Sequence, residues 1–279
     1  GDLEKIRELL KYGADVNERE DAGLTPLHYA VRAKQVRAAE LLLEKGADVD
    51  ASEPEKEETS AHMAADMGDE EMLAVLVKGS ASLQVRDARQ YQPLHVAVSR
   101  VSIGGAKVLL GGGANVNAGA GSAGDTPLHL AVRKSSKLAV EALLALGADR
   151  AVADSEKRTP FDLAMELEEY ECAAALGGVD ALVRAAWAGE SRVVGALIDG
   201  GVDVNGISDG AAVESRKLSS LHAAAERGHE ATVSMLLKRG ADVEALDEAD
   251  RTALHLCARE GHDPVVRQLL GPEGSAKPD

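Results

Sequence analysis

The sequence predicts an all-α solenoid, a stack of about eight short helix pairs. Three observations predict it. A Thr-Pro-Leu-His motif returns at a near-constant interval, from Thr25-Pro26-Leu27-His28 to Thr252-Ala253-Leu254-His255. Hydrophobic residues make up 45% of 279, yet one Trp, four Tyr and one Phe are the whole aromatic complement. A core without rings must be packed at short range from Ala, Leu and Val, which suits small helices and suits a sandwich or barrel poorly. Each motif is also followed by apolar pairs at helical spacing with a glycine behind them.

The motif starts at Thr25, Thr59, Gln92, Thr126 and Thr159, at intervals of 34, 33, 34 and 33 residues, and again at Ser219 and Thr252, 33 apart. The 60-residue gap between Thr159 and Ser219 hides one more unit, whose first helix reads Leu182 to Gly189 if Asp180 stands in for Thr. Within a unit, Thr or Asp caps the first helix, and Pro occupies the first turn, where its missing N–H costs nothing. That helix ends near a glycine such as Gly68, Gly189, Gly228 or Gly261. A second helix follows, with apolar pairs such as Val193, Val194, Leu197 and Ile198. Gly13, Gly46, Gly113, Gly147, Gly201 or Gly240 then stops it, because glycine tolerates the left-handed cap.

With TPLH, the 33-residue period and the Gly-Ala-Asp-Val-Asn segment at Gly13 to Asn17 (near copies at Gly46 and Gly113), the chain resembles the ankyrin repeat family. The likeness covers residues 1 to about 270. It implies helix-turn-helix units with short β-hairpin fingers projecting from them, and a concave side lined by fingers and first helices. It also implies that Asn17, Asn117 and Asn205 resemble asparagines hydroxylated in other ankyrin proteins.

Three departures from the pattern set the organisation. The first repeat keeps only its second helix, about Leu3 to Tyr12, so Ile6, Leu9 and Leu10 have lost their partner; this suggests a preceding segment. The unit at 159–179 has both helices, the second from Glu169 to Leu176, but Gly177-Gly178 replaces its finger. The next unit holds six extra residues around Ile207 to Leu218. Residues 1–178 and 179–271 therefore form either one continuous stack, the favoured reading, or two sub-arrays meeting at a bend, with a flexible tail at 272–279.

Catalytic chemistry finds little support. Of eight histidines, His28, His62, His95, His129, His222 and His255 are the fourth motif residue, and His229 and His262 follow a first-helix glycine. Equivalent sites on stacked helices lie ~8–10 Å apart, whereas zinc holds nitrogens at ~2.0–2.1 Å. The rings are expected to bond neighbouring loop backbone, with no metal site. Gly119 to Gly124 spells GxGxxG, but no strand precedes it and the register makes it a finger, a glycine-rich and mobile tip. Cys257 stands where Ala30, Ala64, Ala97, Ala131 and Ala224 stand elsewhere, hence a small core site; Cys172 sits among acidic neighbours, where a thiolate is disfavoured. Two cysteines give no disulfide framework, which points to a reducing compartment, cytosol or nucleus. No catalytic residue and no cofactor is assigned.

A net charge of −16 argues against a general affinity for nucleic acid, and no apolar run of 18 residues spans a membrane. Acidic residues crowd Glu44 to Glu58, seven against two basic, and Asp162 to Glu171, five against none. These are a solvated surface or a landing site for a basic peptide. First-helix ends are basic at Arg32, Arg100, Arg133 and Lys134, a positive strip interrupted by Asp66. The same two repeat positions hold Glu166, Trp187, Glu226, Arg227 and Arg259. Tyr29, Met67, Tyr91 and Leu167 are apolar where the motif requires nothing apolar. Trp, Tyr and Arg are the usual anchors of interfaces, so these residues form the expected partner-binding set, with packing against adjacent fingers as the alternative for the apolar ones. Trp187, at a position otherwise polar, is expected to be substantially exposed. The function expected is that of a monomeric, non-catalytic scaffold holding a protein or peptide in its groove. The alternatives are a targeting module of a larger enzyme or channel, and an enzyme in its own right.

Overall fold

A computed structural model describes residues 3–208 and 216–271; the tail expected at 272–279 and most of the insertion after Ile207 lie outside the described residues. Among those described there are sixteen α-helices and no extended strand. The chain divides into two compact units, Gly1–Leu163 and Ala164–Asp279.

In the first unit, α1 (Leu3–Lys11) precedes the helix pairs α2 (Pro26–Arg32) and α3 (Val36–Glu44), α4 (Ser60–Asp66) and α5 (Glu70–Lys78), α6 (Pro93–Ser99) and α7 (Ile103–Gly111), and α8 (Pro127–Arg133) and α9 (Lys137–Ala145). First helices pack on one another in the order α2, α4, α6, α8, and second helices in the order α1, α3, α5, α7. Each first helix also rests on its own second helix. The two rows bury Leu27, Leu94 and Leu128 at the motif's third position, with Ala64, Ala97 and Ala131 beneath them. Small and large side chains alternate, so helices of seven residues approach closely without rings to fill space.

Helix α10 (Pro160–Glu166) leads to the second unit, which contains α11 (Tyr170–Ala188), α12 (Ser191–Asp199), α13 (Ser220–Glu226), α14 (Glu230–Lys238), α15 (Ala253–Glu260) and α16 (Asp263–Leu270). Here α11, α13 and α15 form the first-helix row and α12, α14 and α16 the second. The expected separate helices at 169–176 and 182–189 run together as α11, broken by a kink at Gly178 with φ 52° and ψ −138°. Without a finger's worth of chain between them, a single glycine in a conformation closed to other residues makes the turn. Cys257 and Cys172 are both buried, and burial pushes the Cys257 thiol up. No helix of the described residues is long and apolar enough to cross a membrane.

The fingers carry less strand than the expected hairpins. Single antiparallel bridges join Ser52 to Thr59, Ala120 to Asp125 and Ile207 to Ser219. Carboxylates close several of them instead. Asp87, Asp154 and Asp247 each accept two backbone N–H groups and the side chain of Arg89, Arg158 or Arg251. Burial opposes charge on Asp247, but its hydrogen bonds from Arg251 outweigh that and hold the carboxyl down at about 2.

Candidate interaction surface

The histidines are the place to begin, because they decide whether any chemistry is free. The Nε2 of His28, His62, His95, His129 and His222 meets the carbonyl of Ala51, Tyr91, Ala118, Arg158 and Arg251, at 2.7–3.0 Å. A carbonyl only accepts, so Nε2 carries the proton and Nδ1 is left as an acceptor. That Nδ1 takes the backbone N–H of Thr25, Thr59, Gln92 or Thr126 at the helix start. The ring is thus a two-ended clamp between a helix cap and the next loop. Burial pushes the imidazoles of His28, His62 and His222 down, and that of His95 down to about 4. His255 departs from the expectation: it is exposed, and its Nδ1 meets Thr252, but among the described residues Nε2 has no loop to bond.

His229 and His262 make the reverse tie. Their Nε2 atoms donate to the carbonyls of Trp187 and Glu226 in the preceding repeat. Each ring lies against a left-handed glycine, Gly189 or Gly228, where an added Cβ would come within 2.7 or 2.6 Å. Among the described residues no group of three His, Cys, Asp or Glu side chains is placed to hold a metal. The GxGxxG segment is a finger, closed by the Ala120–Asp125 bridge. It is packed, not loose: Gly121 donates to the carbonyl of Gln90, and a Cβ there would sit 3.1 Å from the Tyr91 ring.

Several residues of the expected interaction set are exposed along the first-helix row. Tyr29 (50% exposed), Arg32, Arg100, Arg133 and Lys134 in the first unit reach solvent, as do Glu166, Arg227 and Arg259 in the second. Met67 and Asp66 are half-buried, and so is Tyr91, which is covered by Arg89 with the guanidinium 5.3 Å from its ring centre. Two of the four residues of the first unit's basic strip are paired internally. Arg100 meets Asp66 at 2.7 Å, and Arg133 meets the buried carboxylate of Asp125 at 2.8 Å. Tyr29 also borders an open apolar groove of about 400 Å³, where Ile6, Leu9 and Leu10 of α1 face Pro26, Ala30 and Leu42.

Two expectations need correction. Trp187 is half-buried, because the Arg227 guanidinium covers it at 5.1 Å from the ring centre. Glu226, expected to face water like its polar counterparts, is 7% exposed. Its carboxylate is enclosed by Arg216 from the insertion and Arg259 from the next repeat, with contacts of 2.7 Å to each. Burial opposes that charge, but the two guanidiniums outweigh it and hold the Glu226 carboxyl below its ordinary value. Repeat position alone could not disclose this, since Arg216 arrives from an insertion outside the register.

Asn17 and Asn205 have evident structural partners. Each side chain donates to a glycine carbonyl, Gly46 or Gly240, and accepts the N–H of Asp48 or Asp242. Asn117 accepts the N–H of Asp149 in the same manner. Asparagine recurs there because it both donates and accepts across to the next repeat.

Comparison with known proteins completes the site. A family model described as ankyrin repeats (3 copies) matches residues 1–53, 105–183 and 182–279, and one described as ankyrin repeats (many copies) matches 33–77. The chain is 33% identical over 169 residues to ankyrin repeat and SOCS box protein 16 of Homo sapiens, covering 58% of this chain and 37% of that protein. It is 33% identical over 130 residues to the nuclear factor NF-kappa-B p105 subunit of Gallus gallus, covering 46% and 13%. With the transient receptor potential channel pyrexia of Drosophila melanogaster the figures are 34% over 132 residues, covering 47% and 14%. The chain thus spans 37% or less of each of these relatives.

Proposed function

The chain belongs to the ankyrin-repeat family, and from that premise we propose that it is a non-catalytic recognition module that holds a protein or peptide against its first-helix row and fingers. One observation carries the proposal. At a single repeat position the first unit presents Arg32, Asp66, Ser99 and Arg133 and the second presents Trp187 and Arg259, while the leucine five residues earlier is buried at Leu27, Leu94, Leu128 and Leu182. Such a frame keeps its core constant and leaves its surface free to differ, as a recognition scaffold requires. The histidines do not compete with this reading, since seven of the eight hold loop or helix backbone through Nε2.

A second reading makes the chain the targeting module of a larger protein. The relatives favour it, because each is much longer than the part it shares with this chain and one is named as a channel.

The test compares capture by the parent chain with capture by a variant carrying Tyr29→Ala, Arg32→Ala, Met67→Ala, Arg100→Ala and Arg227→Ala, its fold checked by circular dichroism. Proteins held by the parent, lost by the variant and cross-linked to the first-helix row support the proposal. An identical set of captured proteins, or cross-links confined to the second-helix row, overturns it.

A further inference from the structure

Pairing in the first unit is one guanidinium to one carboxylate where the first-helix row is charged: Arg100 with Asp66 and Arg133 with Asp125. The second unit differs. Glu226 alone serves two guanidiniums, accepting Arg216 Nη1 and Arg259 Nη2 on Oε1 and Arg216 Nη2 on Oε2. Its side chain is 8% exposed, against 49% for Arg259, so the negative end points inward and a positive end points outward. Glu260 takes the Nε of Arg259. The adjacent Arg227 is exposed, and among the described residues no carboxylate lies within ion-pair distance of it. Instead its guanidinium lies over Trp187.

This cluster is held in place before anything binds. His229 ties α13's following turn to the carbonyl of Trp187, and His262 ties the next repeat to the carbonyl of Glu226. Bidentate pairing with Glu226 fixes Arg216, and stacking restrains Arg227. Side chains already ordered lose little freedom on binding. A guanidinium stacked on a ring also keeps its in-plane N–H groups available, and their fork matches a carboxylate.

We propose that the surface formed by Trp187, Arg227, Arg259 and Arg216 binds a short acidic peptide segment of a partner protein. Carboxylates of the segment pair with Arg227 and Arg259, and one apolar side chain lies beside the exposed edge of Trp187. The inference rests on the recognition-module reading and names its partner's chemistry. A short segment fits better than an extended polyanion for an electrostatic reason. The chain carries −16 overall, which repels a nucleic acid lying along it. Screening beyond about 8 Å at physiological salt lets a short segment sense the local cluster, where three guanidiniums face the carboxylates of Glu226 and Glu260.

The experiment uses a fluorescein-labelled twelve-residue peptide of Glu and Asp with two Leu, and its Lys counterpart, with the full 279-residue chain. Anisotropy gives Kd, and Trp187, the only tryptophan, reports contact by its emission. The acidic peptide should bind, shift that emission and weaken with added salt. Arg227→Glu should raise Kd about tenfold or more without loss of fold, because Arg227 holds no ion pair. Lys134→Glu, at the same repeat position in the first unit, should leave Kd within about twofold. Equal binding of the Lys peptide, or equal weakening by Lys134→Glu, overturns the assignment. If the acidic peptide fails while the capture test above still depends on the first-helix row, this surface is wrong and the recognition reading stands. If both fail, both fall.

Discussion

The repeats that begin at Gln92 and at Asp180 meet the same requirement with different chemistry. Each must fasten the start of its first helix to the loop that follows its second helix. In the Gln92 repeat, His95 takes the Gln92 N–H on Nδ1 and donates from Nε2 to the carbonyl of Ala118 at 2.7 Å. In the Asp180 repeat, Val183 stands where the histidine would be. There the Asp180 carboxylate accepts the hydroxyl of Ser208 at 2.6 Å, in the loop that follows that repeat's second helix. The fastening is therefore what the fold demands, and histidine is one way to supply it. What the Asp180 repeat gains is latitude: its loop is longer, and it delivers Arg216 onto Glu226.

The largest test removes the clamp where it is buried. His95→Ala should cost roughly 2–4 kcal/mol in urea unfolding, through a cavity and an orphaned carbonyl. His255→Ala should cost less than about 1 kcal/mol, since that ring is exposed and bonds only its own cap. Equal costs would show that the clamp holds nothing beyond the cap. Acid gives the same comparison. His95 titrates at about 4 when folded against an ordinary 6.5. The unfolded chain takes the proton first, so this stability is complete above pH 6.5 and is lost as pH falls through 4. His95→Ala should flatten the stability profile in that window by up to ~1.4 kcal/mol per pH unit. Asp247, held at about 2, titrates below the window and should leave it unchanged.

These comparisons also show what the sequence could disclose. Whatever repeats was legible: the motif histidines, Cys257 as an alanine surrogate, and the glycines behind second helices all follow from register, because register fixes burial. The kink at Gly178, the cover over Trp187 and the burial of Glu226 were not legible. The kink and the burial of Glu226 depend on segments that break register, and the cover over Trp187 depends on how the side chain of Arg227 lies, which register does not fix. The Asp–Arg closure of the fingers was readable in principle, since Asp87-Ala88-Arg89, Asp154 to Arg158 and Asp247 to Arg251 recur as acid before base. Exposed acid–base pairs usually contribute little, so the pattern by itself does not mark a structural role.

Backbone conformation comes next in size. Gly147 has φ +88°, and a Cβ added there would meet nothing within 4 Å. Gly147→Val should therefore destabilise by roughly 1–3 kcal/mol through the left-handed backbone alone. A thermal melt unchanged from the parent would remove glycine's conformation as the reason the second helices end as they do.

The substitute fastening should be weaker than the clamp. Asp180→Ala leaves the buried Ser208 hydroxyl without that carboxylate, at a cost of about 1–2 kcal/mol. The loop that it held contains Arg216 and Lys217, so limited trypsin digestion followed by mass spectrometry should show faster cleavage there than in the parent. Cleavage at an unchanged rate would mean that Arg216 on Glu226, not Asp180, secures the loop.

The smallest effect comes from Ser80, which keeps the left-handed backbone behind a second helix without the glycine. It stands where Gly13, Gly46, Gly113, Gly147, Gly201 and Gly240 stand, and its φ of 65° is left-handed like theirs. Its side chain is exposed and no hydrogen bond holds it among the described residues. An L side chain in this region costs about 1–2 kcal/mol, and Ser80→Gly relieves that strain. The same change loosens the unfolded chain, which takes back about 0.4–1 kcal/mol. The difference leaves Ser80→Gly neutral to about 1 kcal/mol more stable, a shift of the urea midpoint upward at constant slope. It is the mirror of Gly147→Val: one position, one backbone, opposite signs for adding and removing a side chain. A destabilised Ser80→Gly would mean that the serine side chain does something for the folded chain that its exposed place between repeats does not disclose.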